Sequence, residues 1–119
     1  MEQDLMHCFS GEGYKIELDD TSNTVRMSGA LRLGGLSEYA PISELLENAL
    51  DGREALIIDL SALEFLNSSG IATLSKFVIT ARNRNDCRLA IQGSNAIAWQ
   101  GKSLNNLKRL MPALELNFD

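Results

Sequence analysis

ALIIDLSALEFLNSSGIATLSKFVITARNR (Ala55–Arg84) is the stretch around which the rest of the chain is organised. It opens with Ala55-Leu56-Ile57-Ile58-Asp59-Leu60, a near-continuous apolar run too short for an ordinary helix and rich in β-formers, which predicts a strand covered on both faces. A short polar turn follows. Asn67-Ser68-Ser69-Gly70 then supplies a helix start, because Asn and Ser side chains accept hydrogen bonds from the unpaired amides of a first turn. Beyond it, apolar residues recur at helical spacing through Ile71, Leu74, Phe77, Val78 and Ala81. Strand, turn and helix together set two hydroxyls at the positive end of a helix, where an anion is electrostatically favoured.

On the N-terminal side, residues 1–13 carry no clear periodicity and end in Gly11-Glu12-Gly13, so a loosely attached lead-in is expected there, with the domain proper at 14–119. Tyr14, Ile16 and Leu18 alternate with Lys15 and Glu17, the pattern of a half-buried strand. Asp19-Asp20-Thr21-Ser22-Asn23 is a turn cluster, and Val25 and Met27 belong to the returning strand of a hairpin. Ser28 to Gly35 fits neither period, and its double glycine predicts an irregular connection or a close backbone approach. The next element is a helix whose start Pro41 confines to about residues 38–40, because proline is accepted where its missing amide would be unpaired anyway. Ile42, Leu45, Leu46, Ala49 and Leu50 form its apolar face, Glu44, Glu47 and Asn48 its solvated one, and Gly52 marks its end. Tyr39 is expected to pack at the start of this helix.

On the C-terminal side, Arg88 to Gln92 predicts another short strand. A third helix is expected within 96–111, interrupted at Gly101, with Leu104, Leu107, Leu110 and Met111 as its clearer half and Pro112 as its end. Trp99 is expected to be a core or groove anchor. Leu114, Leu116 and Phe118 alternate with Glu115 and Asn117 as a last strand. The order is therefore β-β-α-β-α-β-α-β, an α/β single domain with a mixed or parallel sheet, helices packed against it and right-handed crossovers.

Composition narrows the function. At 119 residues and 45% apolar content the chain fits one domain with a real core. Sixteen acidic against eleven basic residues give a net charge of −5, and without clustered Lys or Arg a nucleic-acid partner is not expected. No apolar run approaches the ~20 residues of a membrane helix. MEQDLMHCF has neither a basic flank nor a secretory apolar core, so membrane insertion is not expected and a cytoplasmic location is. Cys8 and Cys87 lack metal-site spacing and are expected as reduced thiols, and the single histidine, His7, as a surface residue. Enzyme chemistry finds no support: no histidine is placed to activate Ser68, no Gly-x-Ser-x-Gly elbow surrounds it, and no cofactor loop or metal cluster is present in the pattern.

The run I-I-D-L-S-A-L-E-F-L-N-S-S-G-I-A-T-L resembles the signature of STAS domains, the anti-sigma factor antagonist fold, in which an apolar strand leads into an Asp-Ser-Ser/Thr-Gly-Leu turn opening a helix. With the order of elements on both sides, the resemblance covers residues 14–118. It implies a non-catalytic switch in which a serine kinase of the histidine-kinase-like ATPase type phosphorylates the first serine of the turn and a PP2C-type phosphatase removes the phosphate. On this chain the acceptor is Ser68, beside Ser69 and Gly70. Asn67 stands in place of the usual acid, and an amide cannot orient the hydroxyl as a base, although a phosphate here would meet no adjacent anion.

On a helical wheel Ser68 lies in line with Ala72, Ser75, Lys76 and Ile79, away from the Leu74/Val78/Ala81 core stripe. That line, with Asn67, Ser69 and Gly70 and with Arg32 and Leu33 of the loop to Leu36, is the expected partner surface. Asn67-Ser68-Ser69 are equally read as a plain N-cap, and Ile79 as a packing residue. The alternative function is a non-phosphorylated STAS-like scaffold or subunit, for example in a transporter-associated complex. A homodimer is compatible with either.

Overall fold

The computed structural model describes residues 8–119. The expected hairpin forms from β2 (Tyr14–Asp19) and β3 (Thr24–Leu31), paired antiparallel, and Asp19 fixes its turn by accepting from the Thr21 amide at 3.0 Å and the Thr21 hydroxyl at 2.6 Å. The rest follows in order as α1 (Leu36–Ala49), β4 (Ala55–Leu66), α2 (Ser68–Arg84), β5 (Arg88–Gly93), α3 (Gln100–Leu110) and β6 (Glu115–Phe118). One further strand precedes them. β1 (Cys8–Gly11) pairs antiparallel with β2 across the two-residue turn Glu12-Gly13, so the lead-in expected over 1–13 joins the sheet from Cys8 onward. Its first seven residues, with His7, lie outside the described residues. A four-residue edge strand turns only Phe9 inward, against Tyr14, and one apolar residue makes no readable period.

The fold is a single α/β domain with a mixed six-stranded sheet in the order β1-β2-β3-β4-β5-β6. β3 through β6 are parallel neighbours in chain order, so every crossover advances toward the same edge, and right-handed connections of that kind set α1, α2 and α3 on one face. Burial agrees. Val25, Met27, Leu56, Ile58, Leu60, Leu89 and Ile91 are buried in one cluster with Ile42, Leu46, Leu74, Val78 and Leu107 from the helices. Among the described residues no helix covers the opposite face: Ile57 is 39% exposed between the buried Leu56 and Ile58, and Phe65, 39% exposed, follows the exposed Glu64 and precedes the buried Leu66. The run read as covered on both faces is thus covered on one.

Three boundaries depart from expectation. Ser28 to Leu31 continue β3, so the irregular connection expected at the double glycine is confined to residues 32–35, with Gly35 at φ +85°. A close backbone approach lies instead at Gly29 (φ +89°), where a Cβ would lie 2.1 Å from the Gly13 carbonyl oxygen. α1 begins at Leu36, before Pro41, because a missing amide in the second turn leaves only the exposed first-turn carbonyl of Ser37 without its helical bond. α3 begins at Gln100, so Gly101 sits exposed in its first turn and interrupts nothing.

β4 outruns β5. Their pairing ends at Asp59–Gln92, while β4 continues along β3 through bulges to Leu66. The Asp59 carboxylate accepts from the Ser61 amide and hydroxyl at 2.9 and 2.6 Å, holding the first bulge on the open side. Burial pushes the Asp59 carboxyl up, but the Ser61 bonds and the Arg26 guanidinium outweigh it and hold it below the usual carboxylate range. On the core side the fully buried Gln100 takes the place of the absent strand. Its Nε2 donates to the Leu60 and Leu63 carbonyls at 2.7 and 3.1 Å, its Oε1 accepts from the Ser94 amide at 2.7 Å, and Trp99 Nε1 adds a bond to Leu63 at 3.1 Å.

Gln100→Leu strands those buried groups, and urea unfolding is expected to show a loss of ~3 kcal/mol, since each unpaired buried group costs about 1–3 kcal/mol. Because the Asp59 carboxyl is held low in the fold, its contribution to stability is complete above the unfolded carboxylate pKa and is lost as pH falls through the lower folded value. An Asp59→Asn variant should accordingly lose less stability than wild type on acidification through that window.

Candidate functional site

Where β4 hands over to α2, one residue is bonded to three elements. The Asn67 amide N–H donates to the Leu31 carbonyl at 3.2 Å and its carbonyl accepts from Ile71 at 2.9 Å. Its side-chain Oδ1 accepts from Gly70 N–H at 3.0 Å, the N-cap of α2, and from the Tyr39 hydroxyl at 2.6 Å. Its Nδ2 donates to the Leu33 carbonyl at 2.9 Å. The side chain therefore joins β4, α1 and the β3–α1 loop to the start of α2. Reversing the amide would set donors against donors, so the orientation is chemically fixed. Burial pushes the Tyr39 phenol above its usual range, against the backbone of Leu33 acting the other way, and the hydroxyl stays a donor.

Gly70 closes the corner. A Cβ there would lie 2.2 Å from Leu66 Cδ1 and 2.8 Å from the Tyr39 hydroxyl, both buried, so the glycine of the motif is a packing requirement. Gly70 is itself buried and cannot belong to the expected partner surface. Asn67, half-buried with its polar side-chain atoms engaged inward, contributes through position rather than contact.

The two serines differ. Ser68 is exposed at the first position of α2, and among the described residues its hydroxyl has no hydrogen-bond partner, because Asn67 already supplies the cap. Ser69 is half-buried, and its carbonyl accepts from the Thr73 hydroxyl at 2.9 Å. The first turn of α2 holds no acidic residue, while its last turn carries Arg82 and Arg84; α1 by contrast has Glu38 in its first turn. The positive end of the α2 dipole beside Ser68 is thus uncompensated.

Along α2 the residues of the expected line differ in exposure. Ala72 and Lys76 are exposed and Ser75 and Ile79 half-buried, while Leu74, Val78 and Ala81 are buried. A shallow groove of about 250 Å³ runs beside it, between Leu36, Ala40 and Glu44 of α1 and Thr73 and Lys76 of α2. The loop residues divide. Leu36, 58% exposed, lines that groove, and Leu33 packs against the core. The Arg32 guanidinium instead lies 4.6 Å above the Phe65 ring, on the helix-free side of the sheet, so Arg32 and the α2 line do not share one surface. Among the described residues no group of three or more His, Cys, Asp or Glu could hold a metal, and no helix is long and apolar enough to cross a membrane. Cys8 is exposed, Cys87 is buried, and burial pushes the Cys87 thiol up.

A family model for the STAS domain matches residues 16–97, from β2 to just before α3, including the Asn67 corner. The chain belongs to the STAS domain family. No curated protein matches this STAS domain in sequence. Among solved structures, it is similar to a chain in the crystal structure of the diguanylate cyclase SiaD in complex with its activator SiaC from Pseudomonas aeruginosa, at 13% identity and a TM-score of 0.71, covering 94% of this chain and 98% of that one. It is also similar to SiaC of Pseudomonas aeruginosa, at 14% identity and a TM-score of 0.68, covering 93% of each chain. At these identities the likeness is one of fold.

Sequence reasoning found the N-cap and the exposed hydroxyl of this STAS domain but missed the Tyr39–Asn67 bond, since no local pattern links residues 28 apart. Replacing Asn67 by Asp keeps the cap acceptor and removes the donor to Leu33, setting a carboxylate against a carbonyl. Thermal or urea unfolding should show Asn67→Asp less stable by ~1–2 kcal/mol and Asn67→Ala by ~2–3 kcal/mol. Gly70→Ala overpacks the corner and is expected to lose ~1–3 kcal/mol in the same measurement.

Proposed function

We propose that this STAS domain is a non-catalytic regulatory protein of a partner-switching pathway, whose partners respond to the phosphorylation state of Ser68. The observation that carries the reading is the division of labour at the start of α2: Asn67 caps the helix, and Ser68 presents an exposed hydroxyl that the fold does not use. The partners are a serine kinase of the histidine-kinase-like ATPase type, acting as an anti-sigma factor or its equivalent, and a PP2C-type phosphatase. A phosphate on Ser68 adds ~1.5–2 negative charges at a helix N-terminus with no neighbouring acid, which favours it locally. The domain stays folded, and the change is felt by whatever docks along Ala72, Ser75, Lys76 and Ile79, where the phosphate repels the kinase.

A second reading is an unphosphorylated scaffold that engages an enzyme directly. One observation favours it: a fold neighbour matched over nearly its whole length is described as the activator of a diguanylate cyclase and is seen in complex with it.

Incubation with magnesium-ATP and candidate kinases, followed by mass spectrometry, should place phosphate on Ser68 and lose it in Ser68→Ala. Partner binding without any label selects the scaffold, and label confined to Ser69 refutes the assignment. Ser68→Asp should leave the fold intact or more stable by ~0.3–1 kcal/mol. Ile79→Asp should weaken the kinase complex about tenfold, equivalent to ~1.4 kcal/mol; unchanged affinity would move the docking surface off α2.

A further inference from the structure

The helix-free face of the sheet is complementary to itself. β3 and β4 bring four cross-strand pairs to it: Thr24 beside Ile57, Arg26 beside Asp59, Ser28 beside Ala62 and Ala30 beside Phe65, of which Thr24 is itself buried and forms only the floor beside Ile57. In the first and last of these a small side chain neighbours a large apolar one, in the second a cation neighbours an anion, and in the third both are small. A two-fold axis lying in an interface plane, between β3 and β4 and parallel to them, exchanges the members of every pair. Ile57 of one copy then stands over Thr24 of the other, Phe65 over Ala30, and Arg26 over Asp59, twice each, at the ~10 Å spacing of packed sheets. Other axes do less. Between β4 and β5 the exchanged pairs are Ala55–Arg88, Ile57–Ala90 and Asp59–Gln92, with no opposite charges within a pair and no place for Phe65. Between β2 and β3 they are Lys15–Ser28, Glu17–Arg26 and Asp19–Thr24, with no apolar contact.

We infer that this face binds a second copy of the same chain, with β3 and β4 at the centre of the interface. Of the central charges Arg26 is the available one, while the Asp59 carboxylate, 19% exposed, already accepts from Ser61 and Arg26 and would have to accept a further bond. Arg26 holds Asp59 through Nε at 3.3 Å with its side chain 48% exposed, and its terminal guanidinium nitrogens have no partner among the described residues. Among the described residues Ile57 and Phe65 are two of three large apolar residues that stand clearly exposed; both lie on this face, and the Arg32 guanidinium over the Phe65 ring would have to move aside or share the contact. Burying opposite charges across a two-fold axis gives register as well as attraction, whereas charge mismatch at the same place opposes association. The site is on the opposite side of the sheet from the α2 line, so the inference stands independently of Ser68.

Sedimentation equilibrium of the full chain, combined with native mass spectrometry, tests it. Wild type is expected to be a dimer, and Arg26→Asp and Asp59→Arg each a monomer, since each homodimer would oppose like charges. An equimolar mixture of the two variants is expected to recover a dimer holding one of each, because their charges then alternate across the axis. Phe65→Glu, away from the charge pair, should weaken dimerisation at least tenfold, with circular dichroism confirming that each variant is folded. Wild type that stays monomeric up to about 1 mM, where weak specific dimers are already populated, overturns the inference. A dimer indifferent to Phe65→Glu, or a mixture that fails to pair although both variants are folded, overturns it equally.

Discussion

The structure depends on the side-chain amide of Asn67. Two parallel helices, a strand and a loop meet at the carboxyl end of the central strand, bringing backbone groups and the Tyr39 hydroxyl that a buried corner cannot leave unpaired. One side chain with an acceptor that takes two donors and a donor that reaches a carbonyl resolves the junction. A carboxylate could cap the helix and accept from Tyr39, yet it has nothing to give Leu33. The departure from the family's usual acid is therefore matched by a bond made elsewhere in the same corner, and it leaves the adjacent hydroxyl free of structural duty.

The second constraint is topological. Because each parallel strand adds on the same side of the last, the helices fall into one layer and the chain has no point where strand order reverses. A crevice of the kind that doubly wound sheets use for ligands is absent among the described residues. What the fold offers instead are two broad surfaces of different character. The helix layer carries the exposed serine, Lys76 and the acids of α1, and the bare sheet carries paired charges and two apolar side chains. A protein built this way is equipped for contacts with other proteins.

Much of this was legible in the sequence because it is local. The spacing of Ile42 to Leu50 and of Ile71 to Ala81, the alternation of Tyr14 to Leu18 and the Asn-Ser cap are each written within one or two turns of chain. The apolar run Leu56 to Ile58 misled for a physical reason: periodicity reports how apolar a strand is, and a face awaiting a partner carries the same Ile57 as one already covered. Gly70 showed as part of a motif but not as a residue that a methyl group would drive into Leu66. Gln100 and Tyr39 were invisible as polar anchors, since their bonds run to residues distant in sequence, and a polar residue beside Trp99 or within a helix start carries no mark of burial. Position at a helix start marked both serines, and the family resemblance singled out Ser68, which is the exposed one of the two.

A sheet whose neighbours in space are also neighbours in sequence has a kinetic meaning. Contact order is kept low for an α/β protein, because no strand waits for a partner from the far end of the chain, and loop closure never exceeds one crossover. Assembly can begin at the β2–β3 hairpin and grow one strand at a time toward β6, which emerges last and adds at an edge. Opening runs the other way, so amide exchange is fastest at that edge and slowest in β3 and β4, where the sheet is doubly flanked.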